Sequence, residues 1–104
     1  MTGEQRFALY FSLAAQQDFL EIGAYIARDS EEQARRFVDG LHRRCVEIAD
    51  RPLIWPLVQH RQALGMRRRL HAGYLIFYWV SEDEVEIVRI IHSARNYPAL
   101  LFPE

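Results

Sequence analysis

HAGYLIFYWVSEDEVEIVRIIH, residues 71–92, carries two strands and the turns that bound them. Residues 74–80 are apolar or aromatic without a break. That run is too short for a helix and rich in the side chains that suit a pleated surface. Apolar residues on both faces mark a central strand rather than an edge. Ala72-Gly73 in front of it reads as a tight turn, so the preceding MRRRLH (66–71) pairs with it antiparallel. Behind it SED (81–83) reverses the chain, and EVEIVRIIH (84–92) makes the last strand.

Upstream, RPLIWPLVQHRQALG (51–65) holds two prolines and a glycine and reads as a loop. Two helices precede it. Ser12 suits the N-cap of the first, whose Ala15, Phe19, Ile22 and Ile26 recur at helical spacing on one face. Gly23 within it marks a close-packing point. Ser30 opens the second helix, with Gln33 three residues on in a capping-box pattern. Its apolar stripe is Ala34, Phe37, Leu41, Cys45 and Ile48, and Pro52 stops it. RFALYF (6–11) alternates and forms a short first strand. The order is β-α-α-β-β-β, an α+β fold in which a helical hairpin packs on a small antiparallel sheet. All 104 residues read as one domain.

A hairpin covers one face of a sheet. If Tyr74, Ile76 and Tyr78 face it, then Leu75, Phe77 and Trp79 face the other way and expose a patch that calls for a partner. YPALLFPE (97–104) is too apolar for a loose tail and is expected to fold back onto the domain.

Charge is unevenly spread. The net charge is −1, yet residues 51–81 hold five arginines and no acid, and the chain contains no lysine. A local basic segment points to an anionic partner on one surface. One cysteine, Cys45, excludes an internal disulfide and sits on an apolar stripe. A reduced, cytoplasmic protein is the expectation. Met1 to Arg6 is polar and no apolar run nears the ~20 residues of a membrane span, so neither a signal peptide nor an anchor is expected.

Common enzyme motifs are absent: no glycine-rich phosphate loop, no G-x-S-x-G, no H-E-x-x-H. His42, His60, His71 and His92 have no metal-ligand spacing, and no cofactor or metal is expected. One chemistry needs weighing, metal-free RNA cleavage, which requires a base, an acid and cations around the phosphorane. His92 or Tyr97 would be the acid, with Arg69 and Arg95 as cations. A base is hard to find without lysine, and Tyr97 as the acid would have an ordinary pKa near 10. The plainer reading is that His92 bonds backbone at the strand end, Arg95 pairs with an acid, and Tyr97 packs on the hairpin. Trp55, between two prolines, is either a lid on the core or an exposed anchor.

AAQQDFLEIGAYIARDSEEQARRFVDGLHRRCVEIADRP, MRRRLHAGYLIFYWV and VEIVRIIHSARN, in that order, resemble the ParE toxins of type II toxin–antitoxin systems, within the wider RelE/ParE superfamily. Asp18 with Ile22 and Tyr25-Ile26, the GYLIFY strand and VRIIHSARN carry the likeness most specifically, and PLIWPLVQH departs from it. The resemblance implies the same β-α-α-β-β-β fold. It implies a ParD-like antitoxin that wraps the toxin and itself binds operator DNA. It also implies DNA gyrase as the target, whereas RelE relatives cleave ribosome-bound mRNA. On this reading Arg67, Arg69, Leu75, Phe77 and Trp79 are expected to meet the antitoxin, and Arg95, His92 and Trp55 the target. Were the chain a ribonuclease, His92, Arg95, Tyr97 and Arg69 would carry the reaction.

Overall fold

The computed structural model describes residues 7–60 and 62–103. The expectations for Met1 to Arg6, including the start of the first strand, fall outside that range. Strand β1 (Ala8–Phe11) leads into helices α1 (Leu13–Ala27) and α2 (Glu31–Asp50). Strands β2 (Arg67–His71), β3 (Tyr74–Val80) and β4 (Glu84–His92) follow, then a short helix α3 (Tyr97–Leu101). The hairpin packs on a four-stranded sheet of order β1-β4-β3-β2, as the sequence pattern implies.

Local chemistry sets the helix ends. Ser12 Oγ accepts from the Ala15 amide at 3.0 Å and Ser30 Oγ from the Gln33 amide at 3.1 Å, each satisfying an orphan donor of a first turn. A Cβ at Gly23 would meet Val38 Cγ2 at 3.3 Å, so the glycine lets α1 and α2 approach closely. Ala72 and Gly73 both have positive φ, 50° and 88°, as a two-residue type I′ hairpin turn requires.

The sheet is mixed rather than wholly antiparallel: β1 runs parallel to β4, with Ala8 beside Glu84 and Phe11 beside Ile87. The reason lies in Ser12. Its amide donates to the Ile87 carbonyl at 2.9 Å and its hydroxyl to the Val88 carbonyl at 2.7 Å, which ties the start of α1 to the middle of β4.

That tie sits on a β-bulge. Phe77 pairs with Arg89 but Tyr78 with Ile87, so Val88 is the extra residue on β4. The bulge resets which side chains face the hairpin. Ile87 and Ile90 both pack beneath it, while Val88 and Ile91 pack on the opposite side; strict alternation would separate Ile87 from Ile90.

Two apolar layers result. One joins Ala15, Ile22, Leu41, Cys45 and Ile48 of the hairpin to Ile76, Tyr78, Val85, Ile87 and Ile90 of the sheet. The other joins Leu75, Phe77 and Ile91 to Val58, Ala63 and Met66 of the loop before β2, with Tyr97, Leu100, Leu101 and Phe102 packed against them. The tail therefore folds back, as its composition implies. Among the described residues no helix is long and apolar enough to cross a membrane.

Candidate partner-binding surfaces

The second layer overturns one expectation. Leu75 and Phe77, assigned above to an open antitoxin-binding face, are 3% and 0% exposed. They are core, because the 58–66 loop and the C-terminal helix cover the face that the hairpin cannot reach. Alternation along β3 is as read, with Tyr74, Ile76 and Tyr78 toward the hairpin. Alternation does not become exposure, because the loop and the C-terminal helix add a second cover beside the hairpin. Trp79, also expected to meet the antitoxin, is half-buried at the margin of this layer.

Two of the three arginines of β2, Arg67 and Arg69, are also engaged. Arg69 Nη1 pairs with Glu47 Oε1 at 3.0 Å and donates to the Arg44 carbonyl at 3.1 Å. Its guanidinium lies 4.4 Å from the centroid of the Trp55 ring, a cation–π contact. Arg67 Nη1 donates to the Trp55 carbonyl at 2.7 Å and the Leu53 carbonyl at 3.3 Å. The acid missing from residues 51–81 is thus supplied by α2, and Arg67 and Arg69 hold the loop and α2 against the sheet. Trp55 is a partly buried lid on the hairpin-side core rather than an exposed anchor. Beside this cluster, burial and the cations Arg44 and Arg69 push His71 below its usual range, with Glu47 opposing.

At the far end of β4 the candidate reactive residues separate. His92 pairs with Tyr74 in register and their rings meet edge-on at 5.1 Å, on the hairpin side of the sheet. The Tyr97 ring packs tilted against Phe77, centroids 5.1 Å apart, on the other side. It packs there, not on the hairpin as expected. His92 Nδ1 accepts from the Ala94 amide at 3.1 Å, the strand-end backbone bond anticipated for it. Arg69 belongs to the Glu47 cluster. So His92, Arg95, Tyr97 and Arg69 do not converge on one reaction centre.

His92 and Arg95 do share a groove of about 660 Å³ with Glu21, Tyr25, Phe37 and Tyr74. Arg95 is exposed and forms no ion pair with a described acid, contrary to the pairing expected for it. Tyr25 is 66% exposed on the α1 side of the groove. An apolar floor with two phenols, an imidazole and an unpaired guanidinium suits a protein side chain bearing an acceptor.

Asp18 also lines this groove, and its role depends on partners distant in sequence. It is 6% exposed and accepts three bonds: from Arg89 Nε at 2.8 Å, Arg89 Nη2 at 3.0 Å and the Ile90 amide at 2.8 Å. The signal was present, because Asp18 sits on the buried stripe between Ala15 and Ile22. An acid there needs a cation, and only the fold identifies which. Cys45 is fully buried, with its thiol pushed up to about 12, mainly by desolvation, so it is no nucleophile.

Residues 9–97 match the family model described as the ParE toxin of the type II toxin–antitoxin system parDE. Solved structures with the same fold include a chromosomal ParDE system from P. aeruginosa, at 18% identity and TM-score 0.71, covering 85% of this chain and 97% of that one. The RelBE2 toxin–antitoxin complex from Mycobacterium tuberculosis aligns at 15% identity and TM-score 0.66, covering 84% and 98%. A conserved hypothetical protein from Helicobacter pylori aligns at 16% and 0.56, covering 86% and 97%. No curated protein sequence matches the chain.

Proposed function

We propose, for a chain that belongs to the ParE toxin family of type II toxin–antitoxin systems, that it arrests growth by binding DNA gyrase and that a ParD-like antitoxin neutralises it. One observation carries the choice of binding over RNA cleavage: His92 and Tyr97 lie on opposite faces of the sheet, and Arg69 is tied to Glu47. General acid–base catalysis needs its groups within hydrogen-bond reach of one substrate. A binding toxin needs only an accessible patch, and the groove with exposed His92 and Arg95 provides one for the target. Trp55, capped by Arg69, contributes by packing on the hairpin-side core rather than by direct contact. The chain meets operator DNA only through the antitoxin.

The deciding experiment sets two targets side by side. The purified protein should inhibit supercoiling by purified gyrase while ribosome-bound mRNA stays intact. Cut transcripts with gyrase activity unchanged would reverse the assignment in favour of the RelE-like endonuclease. Within the binding reading, Arg95→Glu should abolish gyrase inhibition without unfolding the protein, because Arg95 bonds no described side chain.

A further inference from the structure

We propose that the groove at His92 and Arg95 takes a single carboxylate side chain, Asp or Glu, presented by the target protein; the inference rests on the gyrase reading above and names what that surface recognises. The groove gathers donors from three elements. His92, at the end of β4, is exposed, and its Nδ1 accepts from the Ala94 amide at 3.1 Å. An amide can only donate, so in the neutral imidazole the proton sits on Nε2. The backbone thereby fixes His92 as a donor, and Nε2 has no partner among the described residues.

Two phenols and a guanidinium complete the set. Tyr74 of β3 meets the His92 ring edge-on, and Tyr25 of α1 lines the same groove. Burial, together with the neighbouring Tyr25, holds Tyr74 above its usual range, so its hydroxyl keeps its proton and remains a donor at neutral pH. Arg95, exposed and without an ion pair to a described acid, supplies the charge. Ile26 and Phe37 line the groove beside these donors and suit the methylene stem of an acidic side chain.

The acids of the groove do not answer these donors. Asp18 already accepts three bonds, two from Arg89 and one from the Ile90 amide, so it balances Arg89 and nothing more. Glu21 is exposed and accepts from Gln17 Nε2 at 3.0 Å. Charge then selects the occupant. One carboxylate matches one guanidinium, in the stronger, charge-assisted kind of hydrogen bond. A nucleic-acid backbone carries a charge at every phosphate and would run its neighbouring phosphates past Glu21.

The test is the affinity of purified gyrase for the whole chain, with variants whose melting temperatures match the unmodified protein. Arg95→Gln should weaken binding about tenfold or more, as expected for a hydrogen bond to a charged group. Arg95→Glu should weaken it further, because like charges then face each other. Tyr74→Phe deletes a hydroxyl, keeps the ring and should cost about threefold or more. Equal losses for Arg95→Gln and Arg95→Glu would mean a neutral acceptor and overturn the carboxylate. Full affinity in all three variants overturns the groove as the contact and leaves the gyrase reading standing. A labelled DNA duplex offered to the chain alone separates the other anion: binding that Arg95→Gln abolishes would put a phosphate in the groove and overturn the proposal. No binding of gyrase by the unmodified chain overturns both readings.

Discussion

Asp18 on the first helix and Arg89 on the last strand, 71 residues apart, are joined by two hydrogen bonds of 2.8 and 3.0 Å. The same carboxylate receives the Ile90 amide at 2.8 Å. The bulge at Val88 makes the pair possible, because it turns Arg89 and Ile90 together toward α1. The side-chain hydrogen bond to Asp18 raises Arg89 above its ordinary value, against a smaller opposing effect of desolvation.

Asp18→Ala strands the Arg89 guanidinium and leaves a buried amide without an acceptor. Breaking a fully buried pair costs about 3–5 kcal/mol. A quarter of the Arg89 side chain stays solvated, so about 2–3 kcal/mol is expected here. Urea unfolding of Asp18→Ala, Arg89→Ala and the double variant should give a coupling energy well above experimental error. Additive losses would show that the two side chains act independently.

Ala72 adopts a left-handed φ of 50° without being glycine. That conformation costs an L-residue about 1 kcal/mol or more, and Asn-Gly is the favoured pair in a type I′ turn. Ala72→Asn should raise the unfolding free energy by about 0.5–1 kcal/mol, read as an increase in melting temperature. A β-branched residue, Ala72→Val, should lower it. Equal stability of all three would mean that the turn is not strained.

Tyr78 is fully buried and its hydroxyl donates to the Pro52 carbonyl at 2.6 Å. Burial pushes its pKa from 10 to about 12, with Arg67 and Arg69 opposing. Since the folded value lies above the unfolded one, the associated stability is complete below pH 10 and is lost between pH 10 and about 12. A two-unit shift corresponds to about 2–3 kcal/mol. Tyr74 shifts in the same direction through burial and the neighbouring Tyr25, so the wild-type curve is compared with Tyr78→Phe. The variant should lose about 1–2 kcal/mol at pH 8 by orphaning a buried carbonyl, yet decline less steeply above pH 10. Parallel curves would contradict the assignment.

Tyr97→Phe should leave growth arrest unchanged, because the ring packs on Phe77, across the sheet from His92. Loss of a general acid commonly costs 10²–10⁴-fold, roughly, in rate. A colony-forming assay under induced expression separates the outcomes: survival of cells carrying Tyr97→Phe would restore a catalytic role for the phenol.

Sequence alone determined the order β-α-α-β-β-β, though not the short helix α3 that follows it. Period-3.6 stripes, Ser caps, the Ala72-Gly73 turn and the unbroken apolar run at 74–80 are local signals, set by how backbone geometry repeats along the chain. The absence of enzyme motifs and the likeness to ParE toxins were legible in the same way. What only the tertiary structure decided involves residues that meet across the fold. β1 joins β4 in parallel because Ser12 bonds the bulge. Phe77 and Leu75 are core because the 58–66 loop and α3 close a face that strand alternation leaves open. Arg69 finds its acid on α2, 22 positions away in sequence, and Tyr97 parts from His92 although only four residues lie between them. Charge and side-chain type are properties of the sequence; burial and pairing depend on which distant surfaces exclude water, and those are set by packing.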